Sequence, residues 1–254
     1  MHALFFPALF AAGALLAIAS PTRTGGEPAA SRLVFRTVRA EGGTRRYAAW
    51  LPPGFDPAKR WPAIVFLHGS GECGVDGEKP VHIGLGPALL AHPERWSFVA
   101  IFPQKPREDE EWEEHETLVY AVLKDAERAF AIDGGRVGLA GVSQGGHGAW
   151  MIGARHPERW RCLVAVCGYG RARTVAPRIV RLPVWAFHGL RDDLVDPADT
   201  RHIIAELKSA KLAAGLDTAS ARMTLYPEAN HNSWDAAFAE PELSGWLQTQ
   251  LRGK

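Results

Sequence analysis

Cysteine is scarce, with only Cys73, Cys162 and Cys167 in 254 residues. Three thiols do not make a disulfide framework, and in an oxidising compartment at least one is left without an internal partner. Cys162 and Cys167 flank Leu163-Val-Ala-Val, a strand-like run that would hold their Cα atoms roughly 16 Å apart. A disulfide tolerates less than about 7 Å, so they are not expected to pair with each other, which leaves Cys73 open to either. The chain has no CxxC or HExxH spacing either, so no metal site is expected. A clustered run of Lys and Arg is also missing, and the formal net charge is only +1. That removes the electrostatic footprint of a nucleic-acid binder.

Charge is absent from the start of the chain as well. No charged side chain precedes Arg23, residues 3–19 are almost wholly apolar, and Ala17-Ile18-Ala19 before Ser20 has the small-x-small form that a signal peptidase accepts. Residues 1–19 therefore read as a signal peptide for secretion or the periplasm, with an uncleaved N-terminal anchor as the alternative. Either way the remainder is expected outside the cytoplasm, with no stable membrane span after signal removal. Residues 20–30, rich in Pro, Gly and Thr, read as a tether, and residues 31–254 as one domain.

What is present is an ordinary globular composition, 46% hydrophobic and 22% charged, enough for a sizeable core. Leu33 to Ala40 and Arg46 to Leu51 around Gly42-Gly43 resemble an antiparallel hairpin. Six short apolar runs follow, at Ala63 to Leu67, Phe98 to Phe102, Val137 to Val142, Leu163 to Val166, Val184 to Phe187 and Met223 to Tyr226. Strands apolar on both faces are those buried inside a parallel sheet. Helical spacing runs through Thr117 to Ala131, Leu243 to Leu251, and Ala198 to Ala214, where Ile203, Ile204, Leu207 and Leu212 recur. The alternation predicts an α/β fold of about eight strands, mostly parallel, with an antiparallel N-terminal edge and helices on both faces. Chemistry in such sheets collects at the carboxyl ends of the strands.

At one such end stands Gly141-Val-Ser143-Gln-Gly145-Gly146, leading into a small-residue helix. A lone GxSxG is weak and also fits a plain strand-to-helix turn, but an apolar strand before it and an Ala/Gly-rich helix after it favour a nucleophilic Ser143. Such a serine needs a histidine base and an acid to orient it, each after a later strand, in the order Ser, Asp/Glu, His. The exit of the Val184 strand carries Asp192, Asp193 and Asp196, and that of the last strand carries His231. Asp192 suits the acid, Asp193 is the one-residue alternative, and Asp196 before Pro197 suits a helix start. Of the ten histidines, His68 and His188 are expected to organise turns and His147 to pack. An oxyanion hole is expected from the backbone N–H groups of Gln144 and Ser70. The glycine-rich loop holding Ser70 would also suit a phosphate, but no GK[ST] follows.

The motifs LHGSGECG at 67–74, AGVSQGGHGAW at 140–150, WAFHGLRDDLVD at 185–196 and YPEANHNSWD at 226–235 resemble those of the α/β-hydrolase superfamily. The nearest likeness is to secreted serine esterases of the phospholipase/carboxylesterase, polyhydroxybutyrate-depolymerase-like and predicted-peptidase groups. The resemblance implies an α/β-hydrolase fold, and a serine esterase acting without cofactor on a small-molecule or polymer-linked ester. Its HGxxDxxVP pattern puts the acid at Asp192, with Asp196 where proline is common. Cys73 and Asn230 also depart from the pattern, where arginine and glycine are usual. A serine peptidase and a non-catalytic binding protein of the same fold are the rival expectations.

No large cap fits between Ser143 and Asp192, a span filled by a helix, a strand and the basic Arg171 to Arg181 connection. The loop after Phe102 carries seven acids between Glu108 and Glu116. It reads as a solvated loop favouring the start of the next helix, or as a rim on which Trp112 stacks a ring or sugar. Trp150 and Trp185 are expected in the core, and Trp234 as helix packing or pocket wall.

Overall fold

The computed structural model describes residues 30–252. The expected signal peptide and nearly all of the tether lie outside the described residues. The described chain forms β1 (Arg32–Ala40), β2 (Gly43–Leu51), β3 (Trp61–Leu67), α1 (Leu85–Ala91), β4 (Val99–Pro103), α2 (Glu116–Ala129), β5 (Ile132–Val142) and α3 (Gln144–Arg155). It continues with β6 (Leu163–Val166), α4 (Ala172–Val175), β7 (Val184–Gly189), α5 (Pro197–Ala213), β8 (Ala221–Tyr226), α6 (Trp234–Ala239) and α7 (Leu243–Gln250).

The strands join one sheet in the order β1-β2-β4-β3-β5-β6-β7-β8. The β1–β2 and β2–β4 pairs are antiparallel and every later pair is parallel. Alternation within a strand divides the core in two. Ala63, Val65 and Leu67 of β3 pack with residues of α2, α3 and α5 on one face, while Ile64 and Phe66 pack with α1, α6 and α7 on the other. Because β3 to β7 are covered on both sides, their runs are continuously apolar rather than alternating.

β5 begins at Ile132, five residues ahead of its apolar run, because Trp61 pairs with Ile132 before the register shifts and Ala63 pairs with Val137. The core face of α5 also differs from expectation. Leu212 is 73% exposed and Lys211 is 2% exposed. Lys211 follows Leu207 by four residues and so shares its face, whereas a fifth step turns roughly 140° away from it at about 100° per residue. The buried ammonium of Lys211 donates to the carbonyls of Val180 at 2.8 Å and Leu182 at 2.9 Å, and burial lowers its pKa. All three cysteines are free, with β6 separating Cys162 from Cys167.

Candidate active site

Ser143 sits between β5 and α3 with φ 54° and ψ −120°, a conformation that L-residues adopt at a cost and that recurs at functional turns. Close approach of β5, β3 and α3 permits this turn. A Cβ on Gly145 would lie 2.0 Å from the Leu67 carbonyl oxygen, and one on Gly141 2.0 Å from that of Gly145. The Ser143 N–H is anchored on the Val166 carbonyl at 2.9 Å, and its side chain is left at the carboxyl end of the sheet.

Two further strand exits converge on it. His231, on the loop after β8, has Nε2 2.9 Å from Ser143 Oγ and Nδ1 2.8 Å from Asp192 Oδ2. Asp192 lies in the turn after β7, and its side chain is fully buried. Its other oxygen, Oδ1, accepts the N–H groups of Leu194 at 3.0 Å and Val195 at 2.9 Å. Burial pushes the Asp192 carboxyl up, but these N–H groups and His231 outweigh it and hold the group below the usual aspartate range. Asp193 is exposed, and Asp196 caps α5 by accepting from the Ala198 N–H at 2.8 Å. Of the three aspartates, Asp192 thus turns inward to His231, Asp193 lies in solvent and Asp196 stands at the start of α5.

The expected oxyanion donors are near the serine. Gln144 N heads α3 and Ser70 N heads a 3-10 turn over Ser70–Glu72, positions whose N–H groups have no partner within the helix. A Cβ on Gly69, next to Ser70, would lie 3.5 Å from the Ser143 Cβ. His68 organises this turn, with Nδ1 donating to the Gly69 carbonyl at 2.6 Å and Nε2 accepting from Lys105 N–H at 3.2 Å. Burial takes its pKa down to about 3, so it is neutral.

The acidic loop departs from the rim reading and keeps part of the helix-start one, since Glu111 and Glu114 form a capping box and Glu116 stands in the first turn of α2. Trp112 is fully buried in the core and donates from Nε1 to the His68 carbonyl at 2.9 Å, so it offers no face to a ligand. Glu108, Asp109 and Glu114 are solvated, but the others are drawn in. Tyr169 OH donates to Glu111 at 2.6 Å, His147 Nε2 lies 3.2 Å from Glu113, and His115 bridges Glu41 and Glu110. The Gln144 side chain donates to the carbonyls of Glu108 at 2.9 Å and Glu110 at 3.3 Å. The loop is therefore strapped beside the serine turn. The four side chains that hold it, Glu41, Gln144, His147 and Tyr169, come from the β1–β2 turn, α3 and the β6 exit, pairings that sequence spacing does not carry.

His147 packs as expected, stacked on Tyr169 with ring centroids 4.3 Å apart, and both border a cleft of about 520 Å³ with Arg171, Thr174 and Asp199. Trp234 packs against the core, one of its two expected readings, and meets the His231 ring edge-to-face at 5.5 Å. Among the described residues two side-chain groups have ligand atoms close enough for a metal ion. One is Glu111, Glu113 and His147, and the other is Cys167, Asp192 and His231 within the serine–histidine–aspartate relay. No helix among the described residues is long and apolar enough to cross a membrane.

No protein-family model and no curated protein sequence matches the chain. Solved structures do. A thermostable esterase matches with a TM-score of 0.71 at 23% identity, covering 87% of this chain and 63% of that one. A ferulic acid esterase matches at 0.62 and 20%, covering 87% of this chain and 98% of that one. An acylaminoacyl peptidase from Pyrococcus horikoshii matches at 0.68 and 11%, covering 89% of this chain and 42% of that one. This chain therefore spans less than two thirds of the first of these proteins, under half of the peptidase, and nearly all of the second. The sheet order, the strained serine turn and these likenesses agree on one architecture: the chain has the α/β-hydrolase fold.

Proposed function

We propose that this chain is a serine hydrolase of carboxylic esters, exported from the cytoplasm and acting on short acyl or polymer-linked esters. The observation that carries the reading is the relay of two hydrogen bonds, 2.9 and 2.8 Å, joining Ser143, His231 and Asp192 from three separate strand exits. Ser143 Oγ attacks the ester carbonyl while His231 Nε2 takes its proton, and Asp192 holds Nδ1–H and favours the imidazolium that forms. The N–H groups of Gln144 and Ser70 stabilise the oxyanion. The imidazolium returns its proton to the leaving alcohol, and water then resolves the acyl-enzyme by the same steps reversed. None of these steps needs a cofactor. Export rests on the apolar residues 3–19 and the small-x-small motif at their end.

The likeness to a ferulic acid esterase over 98% of that chain supports ester cleavage, and the likeness to an acylaminoacyl peptidase keeps amide cleavage as the second reading. A fluorophosphonate probe tests the class. The folded protein is expected to be labelled at Ser143 and the Ser143→Ala variant is not; absence of labelling, or equal labelling of both, overturns the reading. Acetyl, butyryl and feruloyl esters assayed beside a peptide substrate are then expected to be cleaved faster than the peptide.

A further inference from the structure

Asp192 Oδ2 serves a second imidazole besides His231. His188, the penultimate residue of β7, is fully buried and places Nε2 3.0 Å from that oxygen and 3.1 Å from the Val195 carbonyl. Its Nδ1 lies 2.8 Å from Thr200 Oγ1 on α5. Two oxygen acceptors at Nε2 require the proton there. Nδ1 is then left to accept the single Thr200 hydroxyl proton at 2.8 Å, the shorter of its two acceptor contacts, the other being the Gly168 carbonyl at 3.3 Å. Burial holds the ring's pKa below the usual histidine value, although Val195 and Asp192 oppose it, in keeping with a neutral ring. Asp192 therefore carries four donors, two on each oxygen. The two on Oδ2 compete for the same charge.

Resting on the hydrolase reading above, we infer that His188 is a positioning residue that fixes the Asp192 carboxylate and limits how strongly it draws on the Nδ1 proton of His231. A carboxylate sharing its charge with a second donor stabilises the neighbouring imidazolium less. His188 thereby sets the pH at which His231 becomes the free base. The titratable groups facing this carboxylate are His188 from β7, His231 from the β8 exit and the Cys167 thiol from the β6 exit. Burial pushes that thiol up to about 12, so it stays neutral throughout the range in which His231 works.

The test reads the rings directly. In nitrogen-15 spectra of the full chain, His188 is expected to stay neutral with its proton on Nε2 from pH 5 to 8. A proton on Nδ1, or a charged ring in that range, overturns the inference even if His188→Leu fails to fold. In a folded His188→Leu variant the His231 pKa is expected to rise by roughly 0.5 to 1 unit, and in His188→Gln, whose amide keeps a donor at the same place, to stay close to the starting value. An unchanged or lowered His231 pKa in His188→Leu overturns the inference. Loss of turnover with no such shift marks a merely structural role. Because these spectra do not depend on turnover, failure of the ester assay would strike the hydrolase reading and leave this measurement standing. Where turnover is seen, the acid limb of kcat/KM is expected to move upward with the His231 pKa.

Discussion

Replacing Asp192 by asparagine tests the relay through a change of one atom. The Asp192 Oδ1 position receives two backbone N–H groups, from Leu194 at 3.0 Å and Val195 at 2.9 Å. The asparagine oxygen stays there, because those backbone N–H groups cannot become acceptors, whereas the two imidazoles at the other oxygen, His188 and His231, can each move their proton to the other ring nitrogen. Its NH2 is then turned toward His231 Nδ1, 2.8 Å from the former Oδ2, and donates where a carboxylate accepted. Nδ1 becomes an acceptor and the ring proton moves to Nε2, the nitrogen that faces Ser143 Oγ at 2.9 Å. A protonated Nε2 cannot take the serine proton. The expected loss in kcat is about 10⁴-fold, or roughly 5.5 kcal/mol of barrier. Asp193→Asn, at an exposed neighbour, is expected to leave kcat within about twofold, since it removes no contact to the relay. Hydrolysis of a nitrophenyl ester by both variants, at matched melting temperature, is the assay. Retention of more than a tenth of kcat by Asp192→Asn, or a comparable loss in Asp193→Asn, would falsify the assignment of the acid.

Two further outcomes follow from the packing around the site. Gly145→Ala would put a Cβ 2.0 Å from the Leu67 carbonyl and 2.5 Å from that of His68, both backbone atoms of a buried strand exit. Displacing them is expected to cost about 3 kcal/mol or more, lowering Tm by roughly 6 °C or more; a calorimetric Tm within about 2 °C of the parent contradicts the close approach. The His147–Glu113 pair gives stability a pH dependence. Burial lowers the His147 pKa, but Glu113 and the Tyr169 carbonyl outweigh it and hold the ring above its ordinary value. A histidine raised in the folded state contributes stability that is fully present below about pH 6.5 and is lost as pH rises through its folded value. Glu113 is held below its ordinary range, burial being outweighed chiefly by His147, so the pair's other limit lies in acid. Tm is expected to fall between about pH 6 and 8, and Glu113→Gln to flatten that slope; a slope unchanged in the variant removes the pair as its cause.

The architecture was legible in the sequence because its signals are local. Continuous apolar runs such as Val137 to Val142 belong to strands covered on both faces, and a serine between glycines at a strand exit becomes the strained turn at Ser143. Asp196 before Pro197 was readable as a cap because capping needs only the next two residues. Signals that depend on the opposite side of the molecule were not readable. Trp112 in a run of acids was open to reading as a rim side chain, yet it is buried, and its neighbours on the β4–α2 loop are drawn in by Gln144, Tyr169 and His147 and, through His115, by Glu41. Lys211 took the core position expected of Leu212, since helical phase and the two carbonyls that accept its ammonium, those of Val180 and Leu182, outweigh hydropathy.

By itself, then, the sequence determined the order of strands and helices, the serine turn and the pool of acids and histidines at the strand exits, because each is encoded within a few residues. Only the tertiary structure decided which of them meet. Asp192 rather than Asp193 faces His231 because the turn after β7 directs one carboxylate inward, where Leu194 and Val195 cap it, and leaves the next in water. His188 became a partner of the same carboxylate because β7 and the turn after it fold over Thr200 of α5. Such a contact depends on side-chain direction and on a helix that follows the turn, and neither is written in the spacing of His188 and Asp192.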